Sequence, residues 1–241
     1  MLRALWDFCK KYDRARRIAK YRRAIPPYLQ KDFEVELNYK LWTTKGARFA
    51  ASHRTETLQR LSSQCVGYLS AYLIIVGLVN VYGLKFWMIT LTDNQVNFSS
   101  VSLSVLILLF SQLESSESFV LKSDRYHNCA LDIAELYNEL RYNKTYENTN
   151  PQKGKILHDI GDKYDKILKR YENHRPIDYK KFQMTKPDYF RLSLVTRVVI
   201  RTEYYWKVHF KYHLFMFGPL VAFLLLNLKK MVYGVNDQIE H

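Results

Sequence analysis

The stretch SVSLSVLILLFSQLESSESF, residues 100–119, combines a leucine-rich run with regularly spaced serines and closes with two carboxylates. It overlaps an uncharged segment, Asn94 to Leu113, which is long enough for a helix to cross a bilayer core of about 30 Å. A second uncharged segment, Leu61 to Leu84, meets the same criterion, whereas Tyr212 to Leu228 is marginal. The sequence therefore predicts an all-α membrane protein with a two-helix transmembrane hairpin.

Positive charge concentrates on both sides of this hairpin. The 241-residue chain has a net charge of +14, with 15 basic against 6 acidic residues in 1–60 and 21 against 16 in 114–241. The connector from Lys85 to Phe98 holds one of each. Because basic residues stay on the cytoplasmic side, both long flanks are expected in the cytoplasm, and the connector is expected outside.

These features divide the chain into eight segments. They are a basic arm (1–28), a cytosolic helix leading into the membrane (29–60), transmembrane helix 1 (61–89), a short extracytoplasmic connector (90–98), transmembrane helix 2 (99–122), cytosolic helices (123–175), a linker with an interfacial helix (176–211) and a candidate third membrane segment (212–230). The last segment is short and is interrupted by Gly218-Pro219. Spanning, re-entrant and buried positions all remain open for it.

The chain has none of the common catalytic signatures. It contains no Gly-rich phosphate loop, no GxSxG and no HExxH, so neither an enzyme nor a cofactor is expected. The three cysteines form no CxxC pair, and the first 23 residues have no secretory signal pattern, so we expect no disulfide and no leader. His209 and His213 lie four residues apart but lack further ligands, so we interpret them as interfacial aromatic residues and expect no metal site.

The amino-terminal arm carries a dense basic cluster. Its members are Lys10, Lys11, Arg14, Arg16, Arg17, Lys20, Arg22 and Arg23. Such a cluster binds nucleic acid or anionic lipid through phosphate contacts, or it simply fixes the topology as a positive flank. Without a base-reading motif, these interpretations remain equally open.

Small and polar residues follow one stripe of each span. The second span has Asn97, Ser104 and Ser111 at steps of seven, with Ser100 and Ser115 on the same side of the helix. The first span has Ser70 and Gly77 at the same step, and Gly67 lies three residues before Ser70. Such stripes let membrane helices pack closely. Alternatively, the serines line a weakly polar pore in a symmetric homo-oligomer, with Glu114 and Glu117 as carboxylates at its inner mouth.

Three stretches resemble a known family. YKLWTTKGARFAASHR (39–54), RLSSQCVGYLSAYLIIVGLV (60–79) and LLFSQLESSESFVLKSDRYHNCALDIAELYNELR (108–141) are similar to the SLATT superfamily of two-helix membrane effectors. The similarity covers about residues 33–142 and is greatest to the subfamily encoded beside reverse transcriptases, including retrons. The resemblance implies an antiphage toxin that oligomerises in the bacterial inner membrane and permeabilises it, causing abortive infection. A reverse transcriptase with its RNA or DNA product is the implied regulatory partner.

Two alternatives remain open. The first is a nucleic-acid-binding, membrane-anchored regulatory or scaffold protein, in which the basic arm carries the function and the hairpin is only an anchor. The second is an effector gated by a nucleotide second messenger, since relatives in the superfamily accompany the synthases of such messengers. Neutralising the basic arm would abolish the activity of the scaffold, whereas changes in the serine stripe would leave it intact.

Overall fold

A computed structural model describes residues 32–82, 92–146 and 149–239, and within those ranges it contains seven helices and no strand. The helices are α1 (Phe33–Tyr82), α2 (Asp93–Glu117), α3 (Phe119–Tyr146), α4 (Lys153–Arg170), α5 (Pro176–Met184), α6 (Leu194–Val208) and α7 (Phe210–Ile239). The all-α class predicted from the sequence is confirmed.

The segments proposed from the sequence correspond to these helices as follows. The expected cytosolic helix and most of the first span form one continuous helix of 50 residues, α1. A capping box formed by Thr92 and Gln95 starts α2 at Asp93, so residues 93–98 of the proposed connector are already helical. The proposed linker 176–211 contains both α5, which begins with Pro176, and α6, which Ser193 caps.

Two helical stretches are long and apolar enough to cross a membrane. They are Phe33–Val79, and Asp93–Tyr146 across the junction of α2 and α3. The junction lies at Ser118, which has a left-handed backbone with φ of 46°. A third stretch qualifies only if α6 and the first half of α7 count as one element, and these two helices are bent by 64°.

The described chain forms two compact units. The first contains residues 32–45 and 131–170. Its buried residues include Leu37 and Leu41 on one helix and Ile133 and Leu140 on another, at spacings of four and seven residues. Polar contacts add to this core: the Thr44 hydroxyl and the Tyr164 hydroxyl are 2.8 Å apart, and the Lys45 ammonium lies 4.1 Å from the centre of the Tyr137 ring. This unit is a small bundle of helices.

The second unit contains residues 46–82, 92–130 and 171–239. Its hydrophobic core joins the two spans to α5, α6 and α7. The core residues are Leu58, Leu61, Cys65, Leu69, Leu103, Phe110, Phe119, Ile177, Tyr204, Val208, Tyr212 and Met216. Burying this set fixes which face of each span is turned inward and which face is left outside.

Candidate functional site

Large apolar side chains form the contact between the two spans. Leu61, Cys65 and Leu69 of α1 and Leu103 and Phe110 of α2 are all buried in the core of the second unit. Their spacing of three, four or seven residues forms a single stripe on each helix. The exposed members of the predicted small and polar stripes lie outside this buried set, the seam between the spans, and their role in helix packing or in a pore stays a prediction.

The serine stripe of α2 lies beside this seam and faces outward. Asn97, Ser104, Ser111 and Ser115 are exposed, and Ser100 is half-buried. The Ser104 hydroxyl donates a hydrogen bond of 2.8 Å to the carbonyl oxygen of Ser100 within the same helix. Such a bond lets serine face lipid at low cost, because the hydroxyl has a partner without water.

Two glycines in the first span, Gly67 and Gly77, face open space. A Cβ atom placed at Gly67 or Gly77 would meet no heavy atom within 4 Å in the described part of the chain, apart from the helix itself. Ser70, between them, is half-buried. Small residues at a helix contact normally let two backbones approach closely. Within the described residues, neither Gly67 nor Gly77 has such a close neighbour, so both positions leave room beside α1.

One of the two predicted carboxylates lies in an ion pair. Glu117, at the end of α2, accepts a hydrogen bond of 2.7 Å from the Lys122 ammonium, and both side chains remain partly exposed. This pair connects the end of α2 to the first turn of α3 across Ser118. The side chain of Glu114 lies outside the described residues.

A buried ion pair joins α1, just before the first span, to α5. The Arg54 guanidinium donates to both oxygens of Asp178 in α5, at 2.7 and 3.1 Å, and the two side chains are 3% and 0% exposed. The backbone N–H of Arg175 donates a further bond of 2.9 Å to Asp178. Two-point pairing of this kind fixes orientation as well as distance, so α5 is held against α1 in one geometry.

A second arginine lies in the same part of the unit with fewer partners. Arg48 is 0% exposed; one of its nitrogens donates to the Asn173 side chain at 3.3 Å, and its Nε and Nη1 have no partner in the described structure. The Nδ1 atom of neighbouring His174 is also buried without a partner. Burial, reinforced by the positive charge of Arg48, lowers the pKa of His174, and Asp178 opposes that shift. His174 therefore stays neutral at pH 7.

The two histidines near the bend have aromatic neighbours. His209 stacks on Tyr205 with an interplanar angle of 4°, and His213 Nδ1 lies 3.1 Å from the Tyr205 hydroxyl. Within the described residues, no group of three or more His, Cys, Asp or Glu side chains is placed to hold a metal ion. The interpretation of His209 and His213 as aromatic residues of an interfacial helix stays a prediction.

The basic arm cannot be compared with the structure. Lys10, Lys11, Arg14, Arg16, Arg17, Lys20, Arg22 and Arg23 lie outside the described residues. Its role as a nucleic-acid or anionic-lipid contact stays a prediction.

The two apolar spans and the helices that share their hydrophobic core define a helical protein of the membrane-spanning class. The chain belongs to the SMODS and SLOG-associating 2TM effector domain family 5, whose model matches residues 30–225. The predicted resemblance is confirmed and extends well beyond residues 33–142. The association with reverse transcriptases stays a prediction. No curated protein and no solved structure matches the chain.

Proposed function

We propose that this membrane effector is a bacterial antiphage toxin, which assembles through the open faces of its spans and depolarises the inner membrane, so that an infected cell dies or is arrested. The main support is the outward position of the small and polar stripes. Gly67, Gly77, Ser104 and Ser111 lie on the two spans but outside their mutual seam. Family membership adds the effector role.

The physics of helix association in lipid explains why open stripes favour assembly. Lipid chains are as apolar as leucine, so membrane helices associate through close packing and hydrogen bonds between small and polar residues. A second copy can therefore pack on the glycine face of α1. Serines repeated around a symmetry axis would then line a weakly polar path for ions, with Glu117 near one mouth.

Control by a partner is the second part of the proposal. The arm with eight basic residues between Lys10 and Arg23 would bind a phosphate-rich partner, such as a reverse transcriptase with its RNA or DNA product, in a salt-dependent way. The partner would restrain the effector until infection. Anionic lipid is the competing ligand for the same charges.

Membrane potential, measured by dye fluorescence after induction of the protein in bacteria, tests the pore. The variant Ser104→Leu with Ser111→Leu should insert normally, as membrane fractionation can confirm, but should no longer depolarise the cell. The matched control is Val101→Leu with Val105→Leu, because these residues are exposed on α2 but lie off the serine stripe. The control should depolarise cells as strongly as the parent.

Three outcomes would contradict parts of the proposal. If the serine variant inserts and depolarises cells like the parent, this stripe does not line the path. If neutralising Arg14, Arg16, Arg17, Arg22 and Arg23 abolishes activity while the stripe variants are silent, the anchored nucleic-acid-binding alternative is favoured. Co-expression of neighbouring genes from the native locus should suppress depolarisation, and if it does not, restraint by a partner is wrong.

A further inference from the structure

Helix α7 packs directly on the two spans. Its Tyr212 and Met216 are buried in their shared core. The ring of Phe110 in α2 lies 6.1 Å from the ring of Tyr212 and 4.9 Å from that of Phe215, and the ring of Phe217 lies 6.2 Å from that of Tyr68 in α1. The first two turns of α7 are therefore beside the apolar part of both spans.

The contacts also give the depth and direction of α7. Tyr68 follows Arg60, the last charged residue before the first span, by eight residues, or about 12 Å of helix. From Phe217, beside Tyr68, the chain continues without charge to Leu228, which adds about 16 Å. The depth of Phe217, read from α1, and the uncharged length of α7 beyond it add to about 28 Å, which is close to the thickness of the hydrocarbon core. The uncharged run of α7 is therefore long enough to cross the membrane, because it begins at the depth where α1 enters the hydrocarbon core.

The order of contacts from α5 through α6 to α7 supports an α7 that runs in the same direction as α1. Arg54, before the span, holds Asp178 of α5, and Lys181 of α5 lies 4.6 Å from the centre of the Tyr204 ring in α6. Further along both chains, Tyr72 of α1 contacts Met216 of α7. Moving from residue 54 to residue 72 on α1 thus matches moving from residue 204 to residue 216.

The bond between Tyr72 and Met216 has the chemistry expected inside a membrane. Pro219 has no N–H, so it removes a backbone hydrogen bond in α7 and loosens the turn that precedes it. The Tyr72 hydroxyl donates a hydrogen bond of 2.9 Å to the carbonyl oxygen of Met216 in that turn. In a regular helix, the N–H that Pro219 lacks would bond the carbonyl of Phe215, one residue before Met216, so the Tyr72 bond ties the same loosened turn to α1. Where there is no water, neighbouring helices stabilise such turns by supplying extra partners.

The opposite face of α7 is exposed and apolar. Its members are Leu214, Leu220, Val221, Leu224 and Leu225. A helix on the surface of a soluble protein would carry polar residues there. The adjoining helix α6 also exposes Leu194, Val195, Val198 and Val199, with Arg197 and Arg201 nearby, and its 64° bend from α7 is suited to a helix lying in the membrane interface.

We propose that α7 is a third membrane-spanning helix, parallel to α1, with its outer face against lipid acyl chains. Its far end then emerges on the same side as the connector between α1 and α2. Basic residues favour this orientation, because five lie in residues 191–211 and two, Lys229 and Lys230, follow the apolar run. The proposal adds a third span to the two in the family description, and it holds whether or not the chain forms a pore.

Topology reporters placed after His241 of the full chain test this proposal. Alkaline phosphatase is active only after export, whereas green fluorescent protein fluoresces only in the cytosol. We expect the phosphatase fusion to be active and the fluorescent fusion to be dark. Replacing two lipid-facing residues, Leu220→Arg with Leu224→Arg, should reverse both results, because charges at this depth are costly. The matched control, Leu220→Ile with Leu224→Ile, should behave like the parent.

Each other result would overturn the proposal. A fluorescent, phosphatase-inactive parent would mean that α7 is re-entrant, or that its apolar face is covered by a second copy outside the bilayer. An arginine variant that still exports the reporter would mean that Leu220 and Leu224 do not face lipid. The reporters give the topology and not the membrane potential, so their failure can be told apart from the failure of the pore proposal.

Discussion

The two sections of α1 in the second unit differ in what surrounds them. In residues 46–61, the chain itself supplies partners: Gly46 faces the ring of Phe182, and Arg48 and Arg54 are buried. In residues 62–82, one face packs on α2 and α7, while Gly67 and Ile74 face outward. The comparison shows that one continuous helix serves two purposes. Its first section fixes the fold, and its second leaves a surface for lipid or for another copy.

This difference leads to two classes of variant. Changes in the first section should alter the free energy of unfolding, which thermal or denaturant unfolding in detergent measures. Changes on the outer faces of the second section should leave that free energy nearly unchanged and alter assembly or membrane potential instead. The following predictions test this division.

The largest expected effect comes from breaking the buried ion pair. Asp178→Ala leaves the Arg54 guanidinium buried without its carboxylate, and removing one partner of such a pair costs about 3–5 kcal/mol. Unfolding of the purified variant in detergent should show this loss. As a control, Glu56→Ala breaks an exposed pair with Arg60 on the same helix and should cost less than about 1 kcal/mol. Equal losses for Asp178→Ala and Glu56→Ala would contradict the prediction.

A matched pair of glycines gives the next largest effect. The added methyl group of Gly46→Ala would overlap the Phe182 ring, and overpacking of this kind costs about 1–3 kcal/mol. Gly67→Ala meets open space and should be neutral or stabilising by up to about 1 kcal/mol, because alanine favours a helix. The same unfolding measurement distinguishes the two. A destabilised Gly67→Ala would mean that this face is packed within the chain after all.

Part of this comparison could be predicted from the sequence. The uncharged segments predict the two spans, because the lack of charge over about 20 residues is a local property. The repeats at Ser104 and Ser111 likewise predict a stripe. The sequence could not tell which stripe faces the partner helix, since small residues and large apolar residues both pack well in lipid.

The buried ion pair could not be predicted, because its two members lie 124 residues apart. Arg54 appears in the sequence as one of several cations near the membrane, and Asp178 as a polar residue in a proline-containing linker. Only the helix that begins at Pro176 turns Asp178 toward α1. The position of α7 was left open for a similar reason, since its 17 uncharged residues look too short until Phe217 is placed beside Tyr68.

A smaller effect is expected inside the spans. Tyr72→Phe removes the hydroxyl that donates to the Met216 carbonyl, and bonds of this kind contribute about 1 kcal/mol or less. The loss should shrink when Pro219→Ala is also present, because the restored N–H bonds the Phe215 carbonyl and tightens the turn that Tyr72 ties to α1. A double-mutant cycle in detergent measures this coupling. Strictly additive losses would mean that Tyr72 does not compensate for Pro219.

The smallest expected effect is a dependence of stability on pH through His174. Burial and the charge of Arg48 lower the pKa of this histidine in the folded protein, despite the opposing charge of Asp178. The unfolded chain therefore takes up a proton first as the pH falls below the ordinary histidine value of 6.5, so the free energy of unfolding should decrease there. Above that value His174 is neutral in both states and contributes no pH dependence. Unfolding at about pH 7.5 and about pH 5.5 should show the decrease in the parent.

The variant His174→Gln should lose part of that decrease, because its amide does not titrate in this range. His53→Gln is the matched control, since His53 lies on the exposed surface of the same unit, near Glu56. If His53→Gln flattens the pH dependence and His174→Gln does not, the pH sensitivity originates at the surface. If the prediction holds, the polar cluster before the first span makes the stability of the fold depend on pH, because a buried imidazole there must stay neutral.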